Sequence, residues 1–190
     1  MTKTQITSIA KIINKTNSND NTRKTFTIEY GNAYFTPDGY SGYKIPMDML
    51  YEAEEKCEMT IPEASGSSVI SNTFREISSS DYFNTFLNAK EFLAELKAIC
   101  KTRKKSDAEY LSSPYIINFY GQNHKFQIGL IIEALEVLGN QSEIYLSNER
   151  FGKLDIISDT GEAILLPMRM MDDAFDKSIA DKIITEEKII

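Results

Sequence analysis

The hydrophobic spacing along the chain predicts an α+β fold with amphipathic helices and antiparallel sheet. Three observations carry this. Runs with helical spacing recur near residues 4–16, 88–101 and 129–138, period-two runs lie between and after them, and the period-two runs are joined by short turn signals suited to hairpins. The resulting order is helix, strands, helix, strands, helix, strands, which belongs to the α+β class.

At residues 4–16, Ile6, Ile9, Ala10 and Ile13 share one helical face. Lys11 and Lys15 share another with Thr7, so the helix has a basic outer side. NSNDNT at 17–22 is rich in turn formers and ends it. KTFTIEY at 24–30 alternates Phe26, Ile28 and Tyr30 as a strand does, Gly31-Asn32 is a turn signal, and AYFT at 33–36 reads as the returning strand. PDGYSGY at 37–43 reads as a loop leading into a short strand that ends at Ile45. Residues 48–85 read as an irregular insertion, with a strand around Met59 to Ile61 and a loop at Ser65-Gly66-Ser67-Ser68.

Asn88 is placed to cap a helix by accepting from a free backbone N–H. Phe92, Leu93, Leu96, Ile99 and Cys100 form its apolar stripe, and Lys90, Lys97, Lys101 and Lys104 fall together on another face. Residues 102–113 read as a polar connector. YIINFYGQNHKFQI at 115–128 reads either as a hairpin turning at Gly121-Gln122-Asn123 or as a longer helix capped by Asn123. From Gly129 to Leu138, Leu130, Ile131, Ala134, Leu135 and Leu138 face a core while Glu133 and Glu136 face water, and Gly139-Asn140 stops the helix. Three strands follow at 142–147, 153–158 and 162–170, with Asp159-Thr160-Gly161 joining the last two. The tail beyond Met171 reads as helical around Phe175 to Ile184.

The composition narrows the function classes. The chain has 190 residues, 42 % hydrophobic and 26 % charged, with a formal net charge of −7, which excludes collagen, low-complexity disorder and disulfide-stapled scaffolds. The longest apolar run, Ala163 to Met168, is six residues, far short of the roughly 20 needed to span a bilayer. The N-terminus lacks the apolar core of a signal peptide. Cys57 and Cys100 form no CxxC pair, and a reducing cytoplasm with both thiols free is the expected setting. His124 is the only histidine, so sites built on several histidines are unavailable, and it reads as a surface residue. No phosphate-binding, dinucleotide-binding, zinc-protease or nucleophile-elbow motif occurs. Asp155 and Asp159 read as solvated acids and not as metal ligands; Cys100 reads as a small buried hydrophobe. The expectation is a protein without enzymatic activity, metal or cofactor.

The charges are uneven. No Asp or Glu occurs in residues 1–19, and from Lys97 to Lys105 there are five basic residues and no acid. The tail from 171 to 190 carries six acids against three lysines. Because screening acts over about 8–10 Å, local positive surface outweighs the total charge for a nucleic-acid partner. Lys11, Lys15, Lys90, Lys97, Lys101, Arg103 and Lys104 are the candidates for contact with a duplex backbone. The plainer reading of each run is a solvated face.

The C-terminal third, most fully residues 129–170, resembles the bacterial DNA polymerase sliding clamp family. The helix IIEALEVL, the strands IYLSN and KLDIISD, and the ending Leu166-Pro167-Met168-Arg169-Met170 match that family's last domain in order, spacing and residue type. Thr36-Pro37-Asp38-Gly39-Tyr40 is similar to a family loop with Pro37 inserted, and NAKEFLAELKAI at 88–99 is similar to a clamp helix. The resemblance implies a clamp-like fold over residues 1–170, as one domain or as two abbreviated ones divided near 102–113, followed by an acidic tail. It implies a processivity or tethering factor that contacts duplex DNA through basic helices, independently of sequence. It also implies an apolar groove for peptides of polymerases or repair proteins, formed by Gly39, Tyr40, Leu166, Pro167, Met168, Arg169 and Met170, where flexible methionines suit several ligands. For Met168 and Met170, ordinary strand packing is the equal alternative.

The chain departs from the family in length, since a ring would need more copies of so short a subunit, and a homo-oligomer is the expectation. Ser41 stands where the loop usually carries arginine, and the helix with Glu133 and Glu136 is not basic. A clamp-fold interaction module with no ring and no DNA contact is the second reading, and a small stand-alone relative would fit a phage or mobile-element gene.

Overall fold

The structure is a computed structural model that describes residues 1–17, 25–64, 74, 82–85, 87–102, 114–119, 122–147, 152–168 and 182–183. Four helices and ten strands are described. In chain order they are α1 (Lys3–Asn17), β1 (Thr25–Glu29), β2 (Asn32–Thr36), β3 (Ser41–Pro46), α2 (Met47–Lys56), β4 (Tyr82–Asn84), α3 (Ala89–Thr102), β5 (Pro114–Phe119), β6 (Gln122–Gln127), α4 (Ile128–Leu138), β7 (Glu143–Ser147), β8 (Leu154–Ser158), β9 (Gly161–Leu165) and β10 (Lys182–Ile183). The α+β class with antiparallel sheet is therefore observed.

Seven strands form one sheet in the order β1-β2-β3-β9-β8-β7-β4, and β10-β5-β6 form a second. The large sheet is antiparallel throughout. At its centre β3 pairs with β9, Ser41 opposite Leu165 and Lys44 opposite Glu162. The sheet is thus two like units placed back to back. In each, a helix is followed by a three-strand meander: α1 with β1–β2–β3, and α4 with β7–β8–β9. The helices α1 and α4 pack on each other. Both third strands run into the same phrase, Ile45-Pro46-Met47-Asp48-Met49 and Leu166-Pro167-Met168-Arg169-Met170. This internal likeness was readable in the sequence, and the reading by periodicity passed over it.

Helix α4 is the hub. Nine of its eleven residues are buried, so it is apolar nearly all round, as a helix with neighbours on every side must be. It rests on β8 and β9, with α1 on one flank and α3 on the other, and α2 lies beyond α1. Gly139, at φ 93°, takes the left-handed conformation that favours glycine, and its N–H donates to Leu135 O. The Leu138 carbonyl accepts from Gln5 Nε2 at 3.3 Å and Thr160 Oγ1 at 2.8 Å, tying α1 and the β8–β9 turn to the end of α4. One core cluster takes in Ile9, Ile13, Phe35, Tyr43, Leu50, Leu96, Ile117, Phe126, Ile131 and Leu165. The chain on both sides of residues 102–113 therefore shares one core and one sheet.

Several expectations are corrected. Residues 47–56 form α2, which buries Met47, Leu50 and Ala53, where an irregular insertion was read. No strand forms at Met59 to Ile61. The loop after β2 is shorter than read, because β3 already begins at Ser41. The last strand ends at Leu165 and not at Met170. The hairpin reading of 115–128 holds, but Gln122 and Asn123, read as part of its turn, belong to β6 and pair with Phe119 and Asn118. Lys182–Ile183 is a strand where a helix was read. The connector, Ser65 to Ser68 and the rest of the tail lie outside the described residues.

Candidate functional site

The loop from Thr36 to Tyr40 is built by its own short polar side chains. Thr36 Oγ1 accepts from the Gly39 N–H at 2.9 Å. Asp38 Oδ1 accepts from the N–H groups of Tyr40 and Ser41, each at 2.9 Å, and from Ser41 Oγ at 3.0 Å. This is the local turn that an aspartate favours, and Gly39 supplies its φ of 78°. The other oxygen, Asp38 Oδ2, accepts from Lys15 Nζ at 3.1 Å, and the same ammonium reaches Glu133 Oε2 at 3.2 Å. The loop is thereby clamped to α1 and α4.

The loop meets the segment after β9. The Leu166 N–H donates to Tyr40 O at 2.8 Å, and the Met168 N–H donates to Lys125 O on β6 at 2.7 Å. Tyr40 is 49 % exposed and Leu166 39 % exposed, while Gly39, Pro167 and Met168 are half-buried. The structure thus brings five of the seven groove candidates into one strip. Arg169 and Met170 lie outside the described residues.

The basic candidates fare differently. Lys11, Lys90 and Lys101 are exposed, with Lys11 Nζ 4.0 Å from Glu133. Lys15 joins Asp38 and Glu133, and Lys97 Nζ lies 2.6 Å from Glu136 Oε1. Burial lowers the affinity of Lys15 for its proton, but the charges of Glu133 and Asp38 outweigh it and hold the ammonium above its usual range. Glu133 and Glu136, read as facing water, are in fact the half-buried acids that face these lysines. Arg103 and Lys104 lie outside the described residues.

Two polar residues are buried where exposure was expected. Asp155 is 2 % exposed, and Oδ1 has no hydrogen-bond partner. Burial, then the Glu162 charge, pushes its carboxyl up to about 8 against the pull of Lys44 and the Ile156 backbone. It lies on the sheet face opposite the helices, across from Ile164, which packs there with Tyr34 and Phe74. His124 is buried on β6 and its pKa is lowered by that burial. Its ring lies so close to Gly152 that a Cβ there would come within 2.8 Å of Nδ1. Both cysteines are half-buried, form no disulfide and pack against the core.

A cleft of about 910 Å³, not foreseen from the sequence, opens where the start of α1 meets the end of α4, with Thr4, Leu93, Lys97, Glu136, Ile157 and Asp159 among its walls. Its lining carries neither histidine nor cysteine. Among the described residues no group of three His, Cys, Asp or Glu is placed to hold a metal ion, and no helix is long and apolar enough to cross a membrane. The chain matches no family model, no curated protein and no solved structure.

Proposed function

We propose that this protein is a non-enzymatic, clamp-like tethering module that captures a short apolar peptide on the strip formed by Tyr40, Leu166, Pro167 and Met168. One observation carries the reading: the hydrogen bond from Leu166 N–H to Tyr40 O joins two segments far apart in sequence and leaves both large apolar side chains exposed. The order of helix, three strands and Leu-Pro-Met in α4 to β9 supports the sliding-clamp resemblance from which the groove was anticipated. An aromatic beside an aliphatic and a flexible methionine suits ligands that differ in their apolar side chains.

The second reading, association with duplex DNA, rests on the exposed Lys11, Lys90 and Lys101 of α1 and α3. Lys15 and Lys97 serve it less, since each already holds an acid. Anisotropy titrations with labelled polymerase-derived peptides, and with duplex DNA at 50 and 200 mM salt, separate the two. Leu166→Asp should weaken peptide binding at least tenfold with the melting temperature unchanged. Peptide affinity equal in the two proteins, or absent from both, would reject the groove. Three phosphate contacts would give log K a slope of about −3 against log salt, reduced in a Lys11→Glu, Lys101→Glu protein. A cytoplasmic setting and assembly of several copies belong to the same proposal.

A further inference from the structure

The turn between β1 and β2 carries an aromatic ring at a backbone position that disfavours one. Glu29 lies opposite Asn32, so Tyr30 and Gly31 form a two-residue hairpin turn, and both take positive φ, 51° and 76°. Among the described residues Tyr30 is the one non-glycine residue with positive φ. Asn-Gly is the favoured pair for such a turn, and a tyrosine there is strained. The ring is 87 % exposed, so little burial offsets that strain. We propose that this turn and the outer side of α2 form a docking surface for a basic, arginine-bearing segment of another protein.

Three observations carry the proposal, which does not depend on the Tyr40–Leu166 strip. The first is that strain, kept at an exposed aromatic that the fold does not use. The second is where the turn lies. The Met47 N–H donates to Gly31 O at 2.9 Å, which fixes the start of α2 to the turn. Tyr51, 58 % exposed, stands one helical turn beyond Met47. Ile28 is exposed at the outer end of a cross-strand row with Ala33 and Ile45. The third is charge, which selects the occupant. From Met47 to Glu58 there are five acids and one lysine, and that lysine, Lys56, pairs with Glu52. Asp48 Oδ1 and Glu54 Oε1 accept from the backbone N–H groups of Met49 and Ile61, which bring no charge. Asp48, Glu54, Glu55 and Glu58 are exposed. Such a surface repels a nucleic acid or an anionic lipid, and a two-fold contact with a second copy would set the same acids against each other. A basic segment is attracted to it. Arginine suits it better than lysine, because a planar guanidinium stacks on an exposed tyrosine ring and pairs with a carboxylate through two N–H groups.

The probes are two labelled peptides, one of alternating arginine and glycine and one with lysine in place of arginine, titrated by anisotropy into the full-length protein. The arginine peptide should bind about threefold more tightly or better. Tyr30→Asn gives the turn its favoured residue, so it should raise the melting temperature and yet weaken the arginine peptide about threefold. With Tyr51→Ser added, the loss should reach about tenfold. Leu166→Asp, on the other strip, should leave this binding unchanged. Equal affinity for the two peptides, binding to neither, or binding indifferent to Tyr30→Asn would overturn the proposal. A lower melting temperature for Tyr30→Asn would overturn it too, since the ring would then serve the fold. Equal weakening by Leu166→Asp would move the site to the strip and overturn the assignment to this surface.

Discussion

At the scale of single residues, Asp155 has the largest consequence for pH. Its carboxyl is held near 8 by burial first and by Glu162 second, while in the unfolded chain it titrates at about 4. Between those values the folded state binds more protons, so its stability falls as pH rises. The contribution is fully present below about pH 4 and lost by about pH 8. The shift corresponds to a few kcal/mol, on the order of 3 after relaxation. Asp155→Asn, which keeps the shape without the charge, should flatten the profile between pH 5 and 8. It should also raise the melting temperature at pH 8, and thermal melts of both proteins across that range check this. A profile as steep as the parent's would place the titration elsewhere. Asp155 reads from the sequence as a solvated acid, and the structure buries it. The burial is missed because the sheet face that bears Asp155 is occupied by Tyr34, Ile164 and Phe74, residues that meet only in three dimensions. The same holds for His124, whose neighbour Gly152 lies beyond the reach of any local pattern.

At the scale of elements, helix α1 shows how a correct periodicity leaves the partners of its charges unread. Its apolar face and its lysines were legible, because helical spacing is a property of a dozen neighbouring residues. That Lys15 reaches Asp38 and Glu133 was not legible, because those acids lie in another loop and another helix. Helix α2 went unread, although Met47, Leu50 and Ala53 recur at helical spacing, since it follows Pro46 directly and is short. The end of β9 at Leu165 was missed because an apolar run continues past it while the backbone turns to bond Tyr40 and Lys125. Lys15 therefore acts as the pin between α1, α4 and the Tyr40 loop. Lys15→Met should leave Asp38 and Glu133 facing each other without the cation. Its side chain is 38 % exposed, so water screens part of that repulsion, and the expected loss is about 1 kcal/mol. Denaturant titrations of Lys15→Met, Glu133→Gln and the double variant should show a coupling of similar size. Strict additivity would mean that the three elements are joined by packing alone. In the peptide assay, Lys15→Met should also lower affinity, because the loop that presents Tyr40 loses one of its anchors.

At the scale of the whole molecule, the pairing of β3 with β9 makes one folding unit from two similar halves. Each half supplies a helix and a three-strand meander, and neither helix has its apolar face covered without the other, since α1 and α4 pack together over the shared sheet. Halves that complete each other's core have little stability apart, so unfolding should be a single transition. Gly161 stands at this joint. Its φ is 140°, and a Cβ there would lie 2.4 Å from Lys44 O and 3.0 Å from Ile45 Cδ1, so any side chain must push the two central strands apart. Gly161→Ala should cost on the order of 2 kcal/mol. The informative quantity is where that loss appears. If the halves are one unit, the slowest-exchanging amides of β2 and of β8 should lose equal protection, although only β8 adjoins the substitution. A loss confined to β7–β9 would instead mean that the first meander stands on α1 and α2 alone. The strip of Tyr40 and Leu166 draws one side chain from each half. A shared transition would therefore make the integrity of the proposed peptide site a property of the entire molecule, and Gly161→Ala would weaken binding through the joint without touching a ligand.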